Sequence, residues 1–431
     1  MLMGRGGTMR SAPRNINFEN NLCRAMRRNG DIIMEKQLRI GVFGTWRGNA
    51  YIKASKFVDG AIITAICDKN PERIESAKKN CPEDVAIFDN FDEFINSGLF
   101  EAVFLCNYFH EHAEYAIRAM EKGIHVFSET MAASTMAQCV ALCRAVEKTG
   151  CVYMLAENYP FTRGCLEMKR LYETGKLGKA MFEEGEYVHP MSPKESWKYN
   201  DPAIHGDFHW RRYLPVTYYC SHALAPIMHI TNTVPKSVVA MAAPDTDEHI
   251  AEYKHSRTDC VGVMLLSMSD GAVCRINGSS YIAPHGNWYR VGCLNGGAET
   301  IRGDEKKIRV AYNSWCVPEG DHRECVYEAQ WQADADKANA NGHGGGDYWV
   351  VKHFVDAILE GKQPFFDVYR STAIAAVSIL GWRSVLNKSK RYDIPDFRRE
   401  RDKKKWENDE LTPFPKAGAP NTLPFNSRDK I

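Results

Sequence analysis

Leu38-Arg-Ile-Gly-Val-Phe-Gly44, followed by Ala61-Ile-Ile-Thr-Ala-Ile-Cys67 and then Asp68, decides the fold. Both runs are short and apolar throughout, as strands buried on both faces of a parallel sheet must be. Gly41, Gly44 and Gly48 lie where the first strand gives way to a helix. Glycine lets a backbone approach a pyrophosphate closely, and a helix N-terminus offers amide donors and a positive dipole. The spacing departs from G-x-G-x-x-G: anchored on Gly44, that pattern asks for glycine where Trp46 and Asn49 stand. Asp68 adds the missing weight. An acid ending the second strand, roughly 20 residues past the glycines, can accept both ribose hydroxyls and repels a 2′-phosphate. The cofactor expected is therefore NAD. The competing use of Asp68 is as an acid at the start of the next helix, where Asn70 is the predicted cap and Pro71 the first helical residue.

The alternation continues outward. Ala102-Val-Phe-Leu-Cys106, His125-Val-Phe127 and Val152-Tyr-Met-Leu155 read as further strands separated by helical stretches, which predicts a parallel sheet covered on both faces. The loop Thr45-Trp46-Arg47-Gly48 is expected to lead into a helix running through Phe57. From Val238 to Val310 the chain reads as a strand meander, with Ser269-Asp270-Gly271 as a hairpin turn. The fold class is α/β: a Rossmann domain over 37–157, then a domain over 158–397 carrying a large open, mostly antiparallel sheet. Residues 398–431 form a tail whose charge run Arg398–Lys405 reads as a solvated surface. Met1–Lys36 shows no periodicity and no apolar signal core. It reads either as a disordered tail or as an over-extended frame, with translation starting at Met34.

Basic and acidic side chains nearly balance, 55 against 54, so nothing favours nucleic acid or an anionic membrane. No apolar run reaches the ~20 residues of a membrane span. The 14 cysteines follow no pattern and form no C-x-x-C pair, which suggests a reducing, cytoplasmic setting. His110 and His112 lack a third ligand at suitable spacing, so no metal site is expected.

Leu105-Cys-Asn107-Tyr-Phe-His110-Glu-His112, Ala119-Met-Glu-Lys-Gly123-Ile-His125-Val, Ser128-Glu129-Thr130 and Glu157-Asn158-Tyr159 together resemble the glucose–fructose oxidoreductase/inositol dehydrogenase/MocA (Gfo/Idh/MocA) superfamily. The late stretch Asp347–Pro364 resembles its final helix region. The resemblance implies NAD held by Gly44, Thr45, Trp46, Arg47, Asp68, Asn107, His110, His112, Glu129 and Asn158, a small carbohydrate substrate, and assembly as a homodimer or homotetramer. One departure matters: Glu-Lys-Pro is common in these dehydrogenases where this chain has Glu129-Thr130-Met131. Their lysine helps deprotonate the substrate, and threonine is no base near neutral pH.

Tyr218-Tyr219-Cys-Ser-His222-Ala-Leu-Ala-Pro226 and Asn341-Gly-His343-Gly-Gly-Gly-Asp347 resemble segments of the NAD-dependent α-N-acetylgalactosaminidases, a glycosidase branch of the superfamily, with Ala223 and Ala225 in place of glycines. Tyr219 and His222, three apart, share a helical face and can exchange protons with a sugar hydroxyl. His343 sits among glycines, where a ligand can come close. These three are the catalytic candidates. Arg211, Arg212, Tyr187 and Asp347 are the substrate-binding candidates, with His189, Trp197 and Trp288 as further pocket aromatics; the arginines could equally form ion pairs, and the aromatics could equally be packing. The expected reaction is NAD-dependent oxidation of a secondary hydroxyl of a sugar, polyol or glycoside. The alternative extends it: C3 oxidation, elimination of the C1 substituent, water addition and re-reduction, a glycosidase without the usual paired carboxylates. A non-catalytic NAD(H) sensor stands behind both.

Overall fold

The computed structural model describes residues 23–28, 31–190, 192, 209–253, 259–279, 282, 284–415 and 422–428. Six strands form the first sheet: β1 (Leu38–Phe43), β2 (Ala61–Cys67), β3 (Ala86–Phe88), β4 (Ala102–Leu105), β5 (His125–Ser128) and β6 (Tyr153–Leu155). All are parallel, in the doubly wound order β3-β2-β1-β4-β5-β6. The order reverses between β1 and β4, so their C-terminal ends flank the crevice where this architecture places a ligand. Leu38, Ile40 and Val42 are fully buried, as the apolar run requires.

Helix α1 (Thr45–Ser55) starts one residue after β1, with no intervening loop. The expected Thr45–Gly48 loop is thus the first helical turn. Gly44 makes the whole reversal alone, at φ 88°, and a Cβ there would lie 2.4 Å from the Cys106 carbonyl oxygen. Gly48 lets the helix settle on β1, since a Cβ would meet Val42 at 2.6 Å.

The second sheet has nine strands: β7 (Ala180–Val188), β8 (Pro235–Pro244), β9 (Asp259–Met268), β10 (Val273–Ser279), β11 (Gly286–Cys293), β12 (Gly296–Ile301), β13 (Asp304–Tyr312), β14 (Glu324–Glu328) and β15 (Tyr392–Asp393). Their order is β14-β13-β12-β11-β7-β10-β9-β8-β15, antiparallel except where β7 meets β10. Helix α2 (Ser221–Thr231) lies on the inner face and is buried along its whole length, as a helix apolar on every side must be. Gly185 on β7 makes room for it, because a Cβ there would sit 2.0 Å from the Ala223 carbonyl oxygen. Helices α3 (Gly346–Leu359) and α4 (Val368–Leu386) join the two domains: α3 packs on α1, and α4 on β8 and the 136–149 helix.

Two sequence expectations need correcting. The strands Cys23–Arg28 and Asp31–Lys36 pair antiparallel in the leading segment, where no element was expected. The 398–405 charge run is not simply solvated either. It contains a helix, Glu400–Trp406, whose Lys403 is buried against Glu147 with Nζ 2.6 Å from Oε2. Further on, Arg383 donates to Asp409 at 2.6 Å and Phe414 is buried beside Phe109 and Tyr218. A buried cation persists when it has such a partner.

Candidate active site

The C-terminal ends of β1, β2 and β4 bring the dinucleotide candidates together. Asp68 Oδ2 accepts the Thr45 amide at 2.8 Å and the Thr45 hydroxyl at 2.9 Å, while Oδ1 accepts the Asn70 amide at 3.0 Å. Asp68 thus serves the start of α1, which was not foreseen, and the turn into the next helix, and of its about four lone-pair directions one stays open. Trp46 projects from the first turn, half-exposed, with the Arg73 guanidinium 5.3 Å from its ring. Asn107 donates to Glu111 at 3.3 Å, and its Oδ1 is buried without a partner among the described residues. His110 stacks on Phe414, the ring centroids 5.5 Å apart. A left-handed glycine that no Cβ could replace, a helix N-terminus, an acid on the second strand and an orphaned buried acceptor fit a dinucleotide.

His112 differs from the expectation. It is almost fully buried, with Nδ1 3.1 Å from the Met131 carbonyl and Nε2 3.3 Å from the Asn107 carbonyl. Burial pulls its pKa below the ordinary value despite those carbonyls. Burial favours the neutral ring, whose single N–H can donate to only one of the two carbonyls, and the ring sits between the loops after β4 and β5.

Arg47, Glu129 and Asp347 also differ: expected to meet cofactor or substrate separately, they meet one another. Arg47 Nε donates to Glu129 at 2.5 Å and its Nη2 to Asp347 at 3.2 Å. Glu129 further accepts the Tyr51 hydroxyl at 2.7 Å and the Thr130 amide at 2.8 Å. Burial pushes its carboxyl up, but Arg47 and these donors outweigh burial and hold it below the usual range. Asp347 also accepts Asn158 Nδ2 at 2.9 Å and pairs with His343 Nδ1 at 2.9 Å. Its carboxyl lies well below the usual range: burial opposes this, and His343 and Arg47 overcome it. The fold makes these contacts tight. A Cβ at Gly342 would lie 2.7 Å from Asp347 Oδ2, and one at Gly346 would lie 2.4 Å from the Asn158 carbonyl oxygen.

His222 stands on the first turn of α2, buried among Tyr159, Tyr187 and Tyr219, with ring centroids at 4.7, 4.6 and 4.9 Å. Its Nδ1 lies 2.5 Å from Oε1 of Glu157, which is fully buried and whose Oε2 has no partner among the described residues. A carboxylate only accepts, so Nδ1–H is the donor in this contact, and in the neutral ring Nε2 then holds the lone pair. Tyr159 links this pair to the other histidine, its ring 5.9 Å from that of His343. Burial raises the Tyr219 phenol above its ordinary pKa, although Arg211, 5.6 Å from the ring, pulls it down. Arg211 also covers Trp210 at 4.4 Å, and Arg212 is half-buried in the same turn. Thr130 is buried and shares a 2.7 Å hydrogen bond with Ser221, so its hydroxyl ties β5 to the start of α2.

Of the remaining aromatics, Tyr187 is in the cage and His189 lies 5.9 Å from it. Trp288 is not. Asn287 and Tyr289 face inward on β11, so Trp288 faces the opposite side, 3.7 Å beneath the Arg302 guanidinium. Trp197 lies outside the described residues. Glu157 is a site residue that sequence reading missed, although an acid two residues past the last parallel strand is a signal related to Asp68.

Residues 38–157 match the family described as "Oxidoreductase family, NAD-binding Rossmann fold", and residues 239–406 match "Glycosyl hydrolase 109, C-terminal domain". The chain is 24% identical over 419 residues to glycosyl hydrolase family 109 protein 1 of Shewanella sp. (strain ANA-3), covering 89% of this chain and 88% of that protein. It is 25% identical to an alpha-N-acetylgalactosaminidase of Tannerella forsythia, covering 84% and 86%. Among solved structures, levoglucosan dehydrogenase in complex with NADH and L-sorbose superposes with a TM-score of 0.70 at 18% identity, over 84% of this chain and all of that one. Myo-inositol 2-dehydrogenase from Lactobacillus plantarum gives 0.64 at 20% identity, with the same coverage. These structural likenesses speak for the fold.

Proposed function

The chain belongs to the Gfo/Idh/MocA oxidoreductase family, with NAD as its cofactor, and on that premise we propose that it oxidises a secondary hydroxyl of a sugar, polyol or glycoside, with His222 as the base. The observation that carries this reading is the Glu157–His222 pair, set at the junction of the two domains, in which Nδ1 is engaged and Nε2 lies outside the bond. When bound, NAD supplies the hydride acceptor. The residues supply the rest. Asp68, Asn107 and the start of α1 hold the dinucleotide. Glu157 fixes the ring and tautomer of His222, and Nε2 takes the proton from the substrate oxygen. The Tyr219 phenol, kept protonated by burial, donates a hydrogen bond to that oxygen instead of competing as a base. Arg211 and Tyr187 border the same space and suit sugar hydroxyls and the apolar face of a ring.

One observation favours the glycosidase reading. Oxidation alone needs one base, whereas elimination needs a second, to remove the hydrogen from the carbon next to the ketone. The pocket holds a second histidine–carboxylate pair, His343–Asp347, on the other side of Tyr159. The glycosidases among the relatives fit the same reading. Incubation with an aryl glycoside, with and without added NAD, separates the two. Aglycone release without net NADH supports the glycosidase, stoichiometric NADH with intact glycoside supports the dehydrogenase, and neither signal across a sugar panel turns the reading to a sensor.

The outer face of the large sheet supports a homo-oligomer, since Met241, Leu265, Val273 and Phe182 are exposed there. Free, largely buried cysteines support a reducing, cytoplasmic setting. No helix among the described residues is long and apolar enough to cross a membrane.

A further inference from the structure

Elimination needs an acid as well as bases: the oxygen leaving the anomeric carbon must be protonated unless its aglycone is itself a stable anion. Glu305 carries a carboxyl group tied through Asn287 to the strand that holds the His222 backbone. It is half-buried at the start of β13, against the helix that follows the Tyr159–Phe161 turn, where a Cβ at Gly164 would lie 2.6 Å from its carbonyl oxygen. Its Oε1 accepts Nδ2 of Asn287 at 3.0 Å. Asn287 is buried on β11, two residues before Tyr289, whose hydroxyl holds the His222 carbonyl at 2.8 Å. The charges of His285 and His343 reach the Glu305 carboxyl, and it in turn acts on Tyr159 and Tyr289. Among the described residues no lysine or arginine forms an ion pair with it.

We propose that Glu305 is the proton donor to the glycosidic oxygen, an assignment that rests on the glycosidase reading. His343 Nε2 takes the proton from the carbon beside the ketone. That C–H electron pair becomes the new C1–C2 double bond as the C1–O bond breaks. The departing oxygen keeps the bond pair and takes the Glu305 proton. The Glu305 carboxylate then accepts a proton from the water that adds at C1, while His343 returns its proton to C2, so both groups end as they began. Burial raises the Glu305 carboxyl above its ordinary pKa even against the Asn287 donor and the two histidines, which favours the protonated form an acid needs.

The test is Glu305→Gln in the full chain, with two glycosides of one sugar: a 4-nitrophenyl glycoside, whose leaving group needs little protonation, and a methyl glycoside, which needs it. The variant is expected to lose on the order of 10²-fold or more on the methyl glycoside and less than about tenfold on the nitrophenyl one. Equal losses on both, or no loss on the methyl glycoside, overturn the assignment of Glu305 while leaving the glycosidase reading in place. Absence of aglycone release from the unaltered enzyme overturns both. Should the variant fail to fold, the pH profile of the unaltered enzyme decides: an alkaline fall in turnover confined to the methyl glycoside supports the assignment, and identical profiles overturn it.

Discussion

The Tyr289 hydroxyl donates to the main-chain carbonyl of His222 across 2.8 Å, and Pro226 is the reason it can. Within a helix the amide of residue 226 would take that carbonyl, but proline has no N–H. The freed acceptor is buried, so a partner from the sheet is needed. Tyr289→Phe is expected to cost about 1–3 kcal/mol, the penalty of a buried unsatisfied acceptor, and to lower kcat more than it changes KM. Pro226→Ala restores a local donor, so in the Tyr289→Phe background it should recover part of both losses. Urea unfolding and steady-state kinetics on the four proteins of this cycle check it; strictly additive effects would refute the link.

Glu157→Gln keeps the shape of the His222 partner and changes its hydrogen bonding. The amide NH₂ can donate to Nδ1, which moves the ring proton to Nε2, the wrong tautomer for a base. Turnover should fall on the order of 10²–10⁴-fold, with NADH affinity by fluorescence titration close to that of the unaltered chain. His222→Ala should abolish turnover with the same unchanged cofactor binding. Loss of NADH binding in either variant would assign the pair to the cofactor instead.

Those two residues also show what could be read from the chain in advance. The parallel sheet was legible because β1 and β2 are uniformly apolar and end on Gly44 and Asp68, local signals that need no tertiary information. Tyr219 and His222 were legible as a three-residue spacing. Their partners were not, because Glu157 and Tyr289 come from distant segments of the chain, and long-range pairings leave no periodicity behind. Arg47 shows the same limit. From its position in the first turn it reads as a cofactor ligand, yet Glu129 and Asp347 arrive from distant segments and take its guanidinium. For Trp288 the packing alternative holds, because strand alternation puts it on the face opposite Asn287 and Tyr289.

Asp347→Asn should report that convergence. The variant takes the charge from a carboxylate serving Arg47, Asn158 and His343. Breaking a fully buried ion pair costs ~3–5 kcal/mol, and partial solvation of Arg47 reduces this to about 1–3 kcal/mol. The folded carboxyl is depressed below its ordinary 3.8, so its contribution is present above pH 3.8 and fades as acid protonates it. The difference from the unaltered chain in urea unfolding should therefore be full at pH 7 and shrink below pH 3.8. A difference that grows in acid would contradict the assigned ionisation.

Gly44→Ala tests the cofactor cradle. The methyl group would face the Cys106 carbonyl at 2.4 Å, on a backbone at φ 88° that side chains rarely tolerate. Strand ends β1 and β4 would have to part, exactly where the dinucleotide must lie between them. NADH affinity should drop by at least about tenfold, with a stability loss of ~1–3 kcal/mol. Gly98→Ala is the control, because it shares a positive φ but has open space around it and lies away from the crevice. It should lose stability without losing NADH.

Glu183 sets a pH dependence that belongs to the fold and not to the reaction. It lies fully buried on β7, and burial, with the charge of Asp270 adding to it, pushes its pKa from 4.5 up to about 8. The folded chain therefore keeps a proton that the unfolded chain releases between those values. Because the native state binds more protons there, stability is full below pH 4.5, falls as pH rises to about 8 and is level beyond. Each pH unit in that window costs at most about 1.4 kcal/mol. Glu183→Gln removes the titrating group while keeping a hydrogen-bonding side chain of the same shape. It should flatten this part of the profile and raise the thermal midpoint most at pH 8 to 9, with little gain near pH 5. Thermal unfolding of both proteins across that range measures it, and a gain that is equal at every pH would place the cause in packing rather than in ionisation.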